Sequence, residues 1–341
     1  CWYVAALSTE LGRALTKRTI AGTGIVMYRC EDGRAVALLD RCPHRHVPLS
    51  MGRLVGDTVE CGYHGITFDC DGRCVRVPGE TPQAHFTVRS FTALERWGFI
   101  WVWLGEATPD ESLLPREFRF QTEPGWCPMH DSLPVKANYR LVIDNLMDLS
   151  HEAFLHMGTI GNTAVAEVLP TTTIKENTVE VLWFMPDCTP PKLFTKAAGF
   201  TTNIDRYQRI IFYPPCFVII EVWAAATGTN DKANGLEWWV LNALTPETES
   251  STHYFWGLPR HFKQDDAEMT AALHSGVVRT FAEDTAMLEA QQRIIEEAPL
   301  ETRTVYTKAD QAPSRARQLI DRMIAAERSA PAQEKTLHAN V

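Results

Sequence analysis

Two short cysteine–histidine pairs near the start of the chain have the spacing of metal ligands. They are Cys42-Pro43-His44 and, after sixteen intervening residues, Cys61-Gly62-Tyr63-His64. A structural zinc site more often groups like with like, as two cysteines followed by two histidines. One thiolate and one imidazole from each pair instead suit a [2Fe–2S] cluster in which one iron takes both thiolates and the other takes both imidazoles. The spacing leaves a zinc site and unrelated loop residues open as alternatives.

A second pair of histidines, His151 and His156, lies in the segment Asp144–His156, which we predict to be a helix. A separation of five residues corresponds to a rotation of about 140° on an ideal helix. The two imidazoles therefore reach one metal only if the helix distorts or ends between them, and Gly158 just beyond favours such an end. Two histidines and one carboxylate would leave part of the coordination sphere of Fe(II) open for O2 beside a substrate.

The third ligand is sought on a predicted helix over Asp265–Glu297. Its apolar residues recur at helical spacing and form one stripe: Met269, Leu273, Val277, Phe281, Leu288 and Ile295. At about 100° per residue, Asp284 falls inside this stripe and Glu283 falls at its margin. A carboxylate inside a core needs compensation, which a metal, a helix cap or a buried salt bridge would supply. Asp148 shares a helical face with His151, which indicates either a carboxylate that orients this histidine or a solvated side chain.

The bulk composition is that of an ordinary globular protein, with 341 residues, of which 45% are hydrophobic and 22% are charged. This length leaves room for two domains. The net charge of −9 argues against a nucleic-acid partner. No apolar run approaches the ~18 residues that span a bilayer, so no membrane partner is expected. The nine cysteines are scattered and odd in number, and no signal-peptide pattern is visible, so we expect a reducing, cytoplasmic location.

Turn signals and strand-like runs divide the chain into three parts. Residues 1–105 contain short strands joined by turns such as Asp32-Gly33 and Asp71-Gly72, which predicts a small all-β domain. Residues 106–128 are rich in Pro, Glu and Gly and are predicted to be a linker. Residues 129–341 contain strands followed by helices, which indicates an α+β arrangement of an antiparallel sheet on a helix. The strand runs are Thr171–Phe184, Tyr207–Phe212, Phe217–Ala225, Leu236–Leu244 and Thr252–Leu258, and a last helix is predicted over Ala312–Ala326.

The two motifs together resemble the oxygenase component of the Rieske non-haem iron oxygenases. The pattern D-x-x-H-x-x-x-x-H over residues 148–156 follows the cluster motif in the order typical of that family. Val47 and Tyr63 stand where respiratory Rieske proteins carry an extra disulfide pair, which favours the oxygenase branch. The chain length and the stretches Asp205-Arg206-Tyr207-Gln208 and Tyr254-Phe255-Trp256-Gly257 are most similar to the vanillate O-demethylase family, with the dicamba and toluenesulfonate enzymes as further members of the group.

The resemblance implies roles for the motif residues. Cys42 and Cys61 would bind one cluster iron, and His44 and His64 would bind the other. The ligands of a mononuclear iron would be His151, His156 and Asp284. Asp148 would link a cluster histidine to His151. In this family the cluster of one chain serves the iron of its neighbour, so the resemblance implies a homotrimer. It also implies a helix-grip catalytic domain, in which an antiparallel sheet curves around a long helix.

The reaction implied by the resemblance is monooxygenation of a methyl group on an aromatic acid. A hydroxylated methyl ether is a hemiacetal, which collapses to formaldehyde and a phenol. Ala21-Gly22-Thr23-Gly24 is not a complete dinucleotide motif, so NAD(P)H would be used by a separate flavin and iron–sulfur reductase. In the substrate pocket we expect Arg206 to pair with a carboxylate, and Glu221 and His253 to hydrogen-bond a phenol, although each side chain also has a structural interpretation. The rival classes are a Rieske electron-transfer protein, a ring dioxygenase and a zinc-stabilised structural protein.

Overall fold

Ten short strands form the first domain. They are β1 (Trp2–Leu7), β2 (Thr16–Ile20), β3 (Thr23–Arg29), β4 (Ala35–Leu39), β5 (Arg53–Val55), β6 (Thr58–Glu60), β7 (Thr67–Phe68), β8 (Cys74–Arg76), β9 (Ser90–Arg96) and β10 (Phe99–Trp103). They build a six-stranded sheet in the order β1-β10-β9-β4-β3-β2 and a four-stranded sheet in the order β5-β6-β7-β8. The computed structural model describes residues 1–231, 235–297 and 304–329, so the predicted domain end at residue 341 lies outside the described residues.

Both predicted glycine turns of the first domain are present. Gly33 and Gly72 have φ angles of +88° and +82°, a region that residues with a Cβ atom rarely adopt. At the first turn, the side chain of Asp32 accepts a hydrogen bond from the backbone N–H of Arg34 at 2.9 Å. At the second turn, a Cβ atom on Gly72 would lie 2.0 Å from the carbonyl oxygen of Val88. The prediction of a small all-β domain is confirmed.

The second domain is an antiparallel sheet with helices packed against it. Its strands are β11 (His130–Val135), β12 (Thr171–Ile174), β13 (Val179–Cys188), β14 (Ile204–Tyr213), β15 (Phe217–Ala226), β16 (Leu236–Thr248) and β17 (Ser251–Gly257), in the order β11-β17-β16-β15-β14-β13-β12. Its helices are α1 (Tyr139–Met147), α2 (Glu152–Leu155), α3 (Ala164–Glu167), α4 (Lys192–Ala198), α5 (Ala267–Glu297) and α6 (Gln311–Ser329). The α+β prediction is confirmed, but the run predicted over Thr171–Phe184 is a hairpin of two strands.

The long helix α5 buries one face. The apolar residues on that face are Met269, Leu273, Phe281 and Leu288. Asp284 is buried among them, as the helical periodicity predicts. Ile295 was also expected in the stripe, but it lies close to the end of the helix and is 52% exposed. None of the helices formed by the described residues is long and apolar enough to cross a membrane.

The helix predicted over Asp144–His156 is not continuous. Helix α1 ends at Met147, Asp148 has an extended conformation, and a 3-10 turn over Leu149–His151 leads into α2. The break therefore comes before both histidines rather than between them, and His156 ends α2. His151 belongs to the 3-10 turn and His156 follows the last residue of α2, so no regular helix contains both histidines and the distortion that their spacing requires is present.

The two domains share one hydrophobic core. Phe118 lies in a 3-10 helix over Arg116–Gln121, inside the segment predicted to be a linker, and is fully buried. Its ring centroid is 5.1 Å from that of Trp101 in the first domain and 6.2 Å from that of Phe217 in the second. These edge-to-face contacts are a favourable arrangement of aromatic rings. Residues around Phe118 therefore form a packed layer between the two domains.

Candidate metal centres and substrate cavity

The residues of the two cysteine–histidine pairs lie in two loops of the first domain. One loop precedes β5 and carries Cys42 and His44, and the other joins β6 to β7 and carries Cys61 and His64. Both loops have the same backbone pattern, in which the cysteine N–H donates to the carbonyl five residues on. In both, the N–H four residues on donates back to the cysteine carbonyl. The two loops therefore hold their cysteine and histidine with the same backbone hydrogen-bond pattern.

His46 and Gly65 occupy matching positions in these two loops. Both have left-handed backbone conformations, with φ angles of +59° and +69°. Glycine adopts this region without strain, whereas a histidine there needs support. The ring Nδ1 of His46 accepts a hydrogen bond from Nε of Arg41 at 3.0 Å. His46 therefore shapes its loop and is engaged outside the ligand set.

The cysteine–histidine site has a buried half and an exposed half. Cys42 and Cys61 are 1% and 2% exposed, whereas His44 and His64 lie at the surface with ring centroids 4.6 Å apart. Burial raises the pKa of the Cys42 thiol, and a bound metal would offset this by stabilising the thiolate. Two thiols on one side and two imidazoles on the other are the donor set of a Rieske [2Fe–2S] cluster. The side chains fit that group.

His151, His156 and Asp284 converge in the second domain. One ligand atom of each lies within 4.8 Å of the other two. Oδ1 of Asp284 is 3.1 Å from Nε2 of His156 and 3.5 Å from Nε2 of His151. Burial lowers the pKa of His156, but the hydrogen bonds and charges of Asp284 and Glu283 outweigh burial, so this pKa is raised. The same negative field favours a divalent cation, and two imidazoles with one carboxylate fit a mononuclear Fe(II).

Each of these histidines is also held through its other ring nitrogen. Nδ1 of His156 lies 2.7 Å from Oε2 of Glu283. Nδ1 of His151 lies 2.7 Å from the backbone carbonyl oxygen of Asp148. An acceptor at Nδ1 keeps the ring proton on that nitrogen, which leaves the Nε2 lone pair available to a metal.

Asp148 thus orients His151 with its main chain, whereas we expected its carboxylate to do so. The carboxylate Oδ1 instead accepts a hydrogen bond from the backbone N–H of Ser150 at 2.9 Å and caps the 3-10 turn. The predicted link from Asp148 to a cluster histidine involves a neighbouring chain and stays a prediction.

A mainly apolar cavity lies beside the three converging side chains. Its apolar lining includes Leu146, Leu149, Ile160, Phe194, Val222, Trp238, Leu273, Val277 and Phe281. Arg206 also lines it and is 1% exposed. Its Nη2 donates to Oε2 of Glu152 at 2.9 Å. Arg206 is thus already paired with a carboxylate that the chain itself supplies, and its pairing with a substrate carboxylate stays a prediction.

Glu221 and His253, the other two predicted pocket residues, are outside the cavity lining. Side chains alternate along a strand, so Ile220 of β15 faces the cavity while Glu221 faces the opposite side. There Glu221 accepts a hydrogen bond from Nε of Arg209 at 2.7 Å. Nε2 of His253 lies 3.1 Å from the carbonyl oxygen of Thr19 in the first domain. Glu221 thus takes part in a cross-strand ion pair and His253 in an interdomain contact, and their contacts with a phenol stay predictions.

Four site residues received no role from the sequence. They are Asn145, Glu152, Gln208 and Glu283. Nδ2 of Asn145 donates to Oδ1 of Asp284 at 3.0 Å, and Gln208 contacts Glu152 in the cavity wall. A signal existed for Glu283, since this carboxylate adjoins the predicted ligand at the margin of the helical stripe. Glu152 and Gln208 are 56 residues apart, and no local pattern connects them.

A two-loop Cys/His cluster site joined to a His/His/Asp site on an antiparallel sheet defines a Rieske non-haem iron oxygenase. Two family models match the chain accordingly. The Rieske [2Fe-2S] domain matches residues 1–92, and the vanillate O-demethylase oxygenase C-terminal domain matches residues 135–326. The chain belongs to the family of vanillate O-demethylase-type Rieske oxygenases.

Relatives match the chain over nearly its full length. The vanillate O-demethylase oxygenase subunit of a Pseudomonas species is 35% identical over 96% of this chain and 95% of its own. The iron–sulfur subunit of the toluene-4-sulfonate monooxygenase system of Comamonas testosteroni is 33% identical over 96% and 97%. The crystal structure of dicamba monooxygenase with non-heme iron and dicamba matches with a TM-score of 0.84 and 33% identity, covering 96% and 98%. The protein is therefore an oxidoreductase, an oxygenase component of the O-demethylase type with a [2Fe–2S] cluster and a mononuclear iron.

Proposed function

We propose that this protein removes the methyl group of a methoxylated, vanillate-like aromatic acid and releases it as formaldehyde. The observation that carries the proposal is the apolar cavity that opens onto His151, His156 and Asp284. An apolar enclosure suits an aromatic ring, and the open side of the metal site suits a methyl group and O2. The 35% identity with a vanillate O-demethylase oxygenase subunit supports the same substrate class.

The proposed reaction balances in two stages. One atom of O2 is inserted into a C–H bond of the methyl group, and the other is reduced to water by two electrons and two protons. The resulting hemiacetal loses its hydroxyl proton as its bond to the aromatic oxygen breaks, and that oxygen gains a proton. The products are formaldehyde and a phenol. The cluster and the mononuclear iron, when bound, supply the electron storage and the O2 activation.

The contribution of the chain is to position groups and to exclude water. Leu149, Val277 and Phe281 line the cavity and would surround the aromatic ring, which removes water from the reacting methyl group. Glu283 and the carbonyl group of Asp148 hold the Nδ1 protons of the two ligand histidines, so that both rings keep a fixed orientation.

Exposed apolar side chains flank both metal centres and support a homotrimer. Met51 and Tyr63 lie beside the cluster histidines and are 77% and 62% exposed. Phe154 and Met157 lie beside the second site and are 78% and 56% exposed. Two unlike apolar patches that pair head to tail generate a ring where the rotation between chains closes, and the family resemblance sets the proposed number of chains at three. In the proposed ring, the exposed imidazoles of one chain face Asp148 of the next, which provides the path for electrons.

We further propose that the electrons come from a separate flavin and iron–sulfur reductase that oxidises NAD(P)H. The glycines near residue 22 do not build a phosphate-binding loop. Ala21 and Gly22 instead form the turn between β2 and β3, with φ angles of +48° and +75°. Two successive positive φ angles are the signature of a tight hairpin turn.

The test is the amount of formaldehyde formed per NADH consumed, using the iron-replete protein, a surrogate reductase and vanillate. A ratio close to one supports the proposal. NADH oxidation that yields peroxide without formaldehyde contradicts the assignment of a vanillate-like substrate. His156→Ala is expected to abolish formaldehyde formation. His274→Ala is the matched control, because this histidine lies on the same helix as Asp284 and contacts Asp131 outside the metal site.

A second candidate reaction is hydroxylation of a methyl group attached directly to the ring. It is supported by the 33% identity with the toluene-4-sulfonate monooxygenase subunit. Product analysis separates the two reactions, because a ring methyl group gives a stable benzylic alcohol and releases no formaldehyde. A ring dioxygenase would give a cis-diol.

A further inference from the structure

The polar part of the cavity wall is a buried and electrically neutral cluster of Glu152, Arg206 and Gln208. These side chains are 3%, 1% and 3% exposed. Nη2 of Arg206 donates to Glu152 at 2.9 Å, and its Nη1 lies 3.5 Å from the carbonyl oxygen of Ile160. Among the described residues that line the cavity, Arg206 is the only Lys or Arg. A substrate carboxylate brought to this wall would meet a cation that is already paired, and would be repelled by Glu152.

The amide group of Gln208 has a defined orientation. Carboxylate oxygens accept hydrogen bonds, so the amide atom that faces Glu152 must be the NH2 group. Nε2 of Gln208 accordingly donates to Oε1 of Glu152 at 2.7 Å. The other amide atom, Oε1 of Gln208, therefore remains as an acceptor that does not contact Glu152.

Two atoms of this cluster have no hydrogen-bond partner within the described part of the chain. They are Nε of Arg206, which is a donor, and Oε1 of Gln208, which is an acceptor. Arg206 and Gln208 are two residues apart on β14 and both line the cavity. Leaving a buried donor and a buried acceptor unpaired is costly, and native proteins seldom do so without a reason.

We propose that Arg206 and Gln208 form a subsite for a phenolic hydroxyl group of the substrate, an inference that rests on the proposed function. A hydroxyl group donates one hydrogen bond and accepts another, so it satisfies both unpartnered atoms together. Its O–H donates to Oε1 of Gln208, and its oxygen accepts from Nε–H of Arg206. A carboxylate or a second methoxy group has no proton to donate, and would place an oxygen lone pair against Oε1 of Gln208.

The subsite is tested by comparing two ligands on the holoenzyme. These are 4-hydroxy-3-methoxybenzoate and 3-methoxybenzoate, which differ only in the hydroxyl group. Dissociation constants from isothermal titration calorimetry give a readout that does not depend on turnover. The wild type should bind the hydroxylated ligand about 10- to 100-fold more tightly, because the other ligand leaves a buried donor and acceptor unpaired.

Gln208→Met nearly keeps the volume of the side chain but removes both amide groups, the donor to Glu152 and the acceptor for the hydroxyl proton, so this preference should fall to about twofold or less. Thr280→Val is the matched control. Thr280 also lines the cavity, but its hydroxyl donates to the carbonyl oxygen of Gly276 at 3.1 Å, so the variant should keep the preference. Cluster absorbance and iron content verify that each variant is folded and loaded.

The subsite is overturned if the wild type binds both ligands equally, or if Gln208→Met retains the wild-type preference in a folded, loaded protein. Formaldehyde release is measured in parallel and separates the two proposals. If both ligands yield formaldehyde and the protein shows no binding preference, the proposed demethylation is supported and the subsite is contradicted. If the binding preference disappears in Gln208→Met and neither ligand yields formaldehyde, the subsite is supported and the proposed demethylation is contradicted.

Discussion

Glu283 and Asp284, adjacent on α5, hold opposite nitrogens of a single imidazole. Oε2 of Glu283 is 2.7 Å from Nδ1 of His156, and Oδ1 of Asp284 is 3.1 Å from Nε2 of the same ring. Neighbouring residues on a helix are separated by about 100°. His156 lies in the gap between the two carboxylates, so one helix fixes the ring and carries the predicted carboxylate ligand beside it.

Removing the Glu283 carboxylate should weaken binding of the mononuclear iron and leave the cluster intact. We expect Glu283→Ala to lower the affinity for the mononuclear iron by about 10- to 100-fold, because His156 loses the contact that orients its ring. The measurement is the iron retained during titration with a chelator, followed beside the visible absorbance of the cluster. Glu297→Ala, an exposed position at the end of the same helix, is the control. Equal iron retention in both variants would remove the orienting role of Glu283.

The two metal centres should be separable by single substitutions. Asp284→Ala should lose the mononuclear iron and the product while keeping the Rieske spectrum, because its carboxylate lies in the second domain. Cys61→Ser should lose the cluster, because a thiolate is required at that position. Iron and sulfide analysis combined with electron paramagnetic resonance distinguishes the two. Loss of the cluster signal in Asp284→Ala would contradict the assignment of independent sites.

Two substitutions of Asp148 separate its capping hydrogen bond from the effect of its negative charge. Asn caps a helix about as well as Asp, so Asp148→Asn should keep the contact with the N–H of Ser150 and the melting temperature. If the carboxylate links neighbouring chains electrically, the same variant should slow cluster reoxidation at least about tenfold. This corresponds to an activation free energy that is higher by ~1.4 kcal/mol. Asp148→Ala should additionally lose about 1 kcal/mol of stability. Stopped-flow reoxidation and thermal denaturation provide the two readouts. Wild-type reoxidation in Asp148→Asn would exclude the electrical role.

The packed layer around Phe118 should make the domains unfold together. Phe118→Ala is expected to lower the free energy of unfolding by about 3–5 kcal/mol, because it opens a cavity between Trp101 and Phe217. Chemical denaturation followed by cluster absorbance and by far-ultraviolet circular dichroism should give coincident transitions in the wild type. Leu113→Ala, an exposed position in the same segment, should change stability by less than about 0.5 kcal/mol. Separate transitions for the two domains in the wild type would contradict the shared core.

The sequence predicts the parts of the metal centres that depend on residue type and spacing. Few side chains bind iron, so the cysteine–histidine pairs and the two histidines near residue 150 are conspicuous without a structure. Asp284 is predictable because a carboxylate inside an apolar helical stripe is energetically unusual. The antiparallel sheet and the long helix follow from strand runs and helical periodicity.

The cavity wall was not predictable in the same way. The pair of Arg206 and Glu152 joins a strand to a short helix, and local patterns contain no information about such a contact. The side of β15 on which Glu221 lies was unpredictable for a related reason. Alternation along β15 shows that Glu221 and Ile220 face opposite sides, but the sequence does not show which side contains the cavity. The contact of His253 with Thr19 crosses the domain boundary and joins residues that are 234 apart in the sequence. Local patterns therefore did not reveal it.

The shared core has a consequence for how electron flow is controlled. Besides the layer around Phe118, the hydroxyl of Thr245 donates to the carbonyl oxygen of Val4 at 2.7 Å, and the N–H of Ala21 donates to the carbonyl oxygen of Pro246 at 2.7 Å. A cluster domain tied in this way cannot swing as a tethered carrier between a reductase and a distant acceptor. In the proposed trimer, turnover would then be gated by what occupies the cavity and by how neighbouring chains meet.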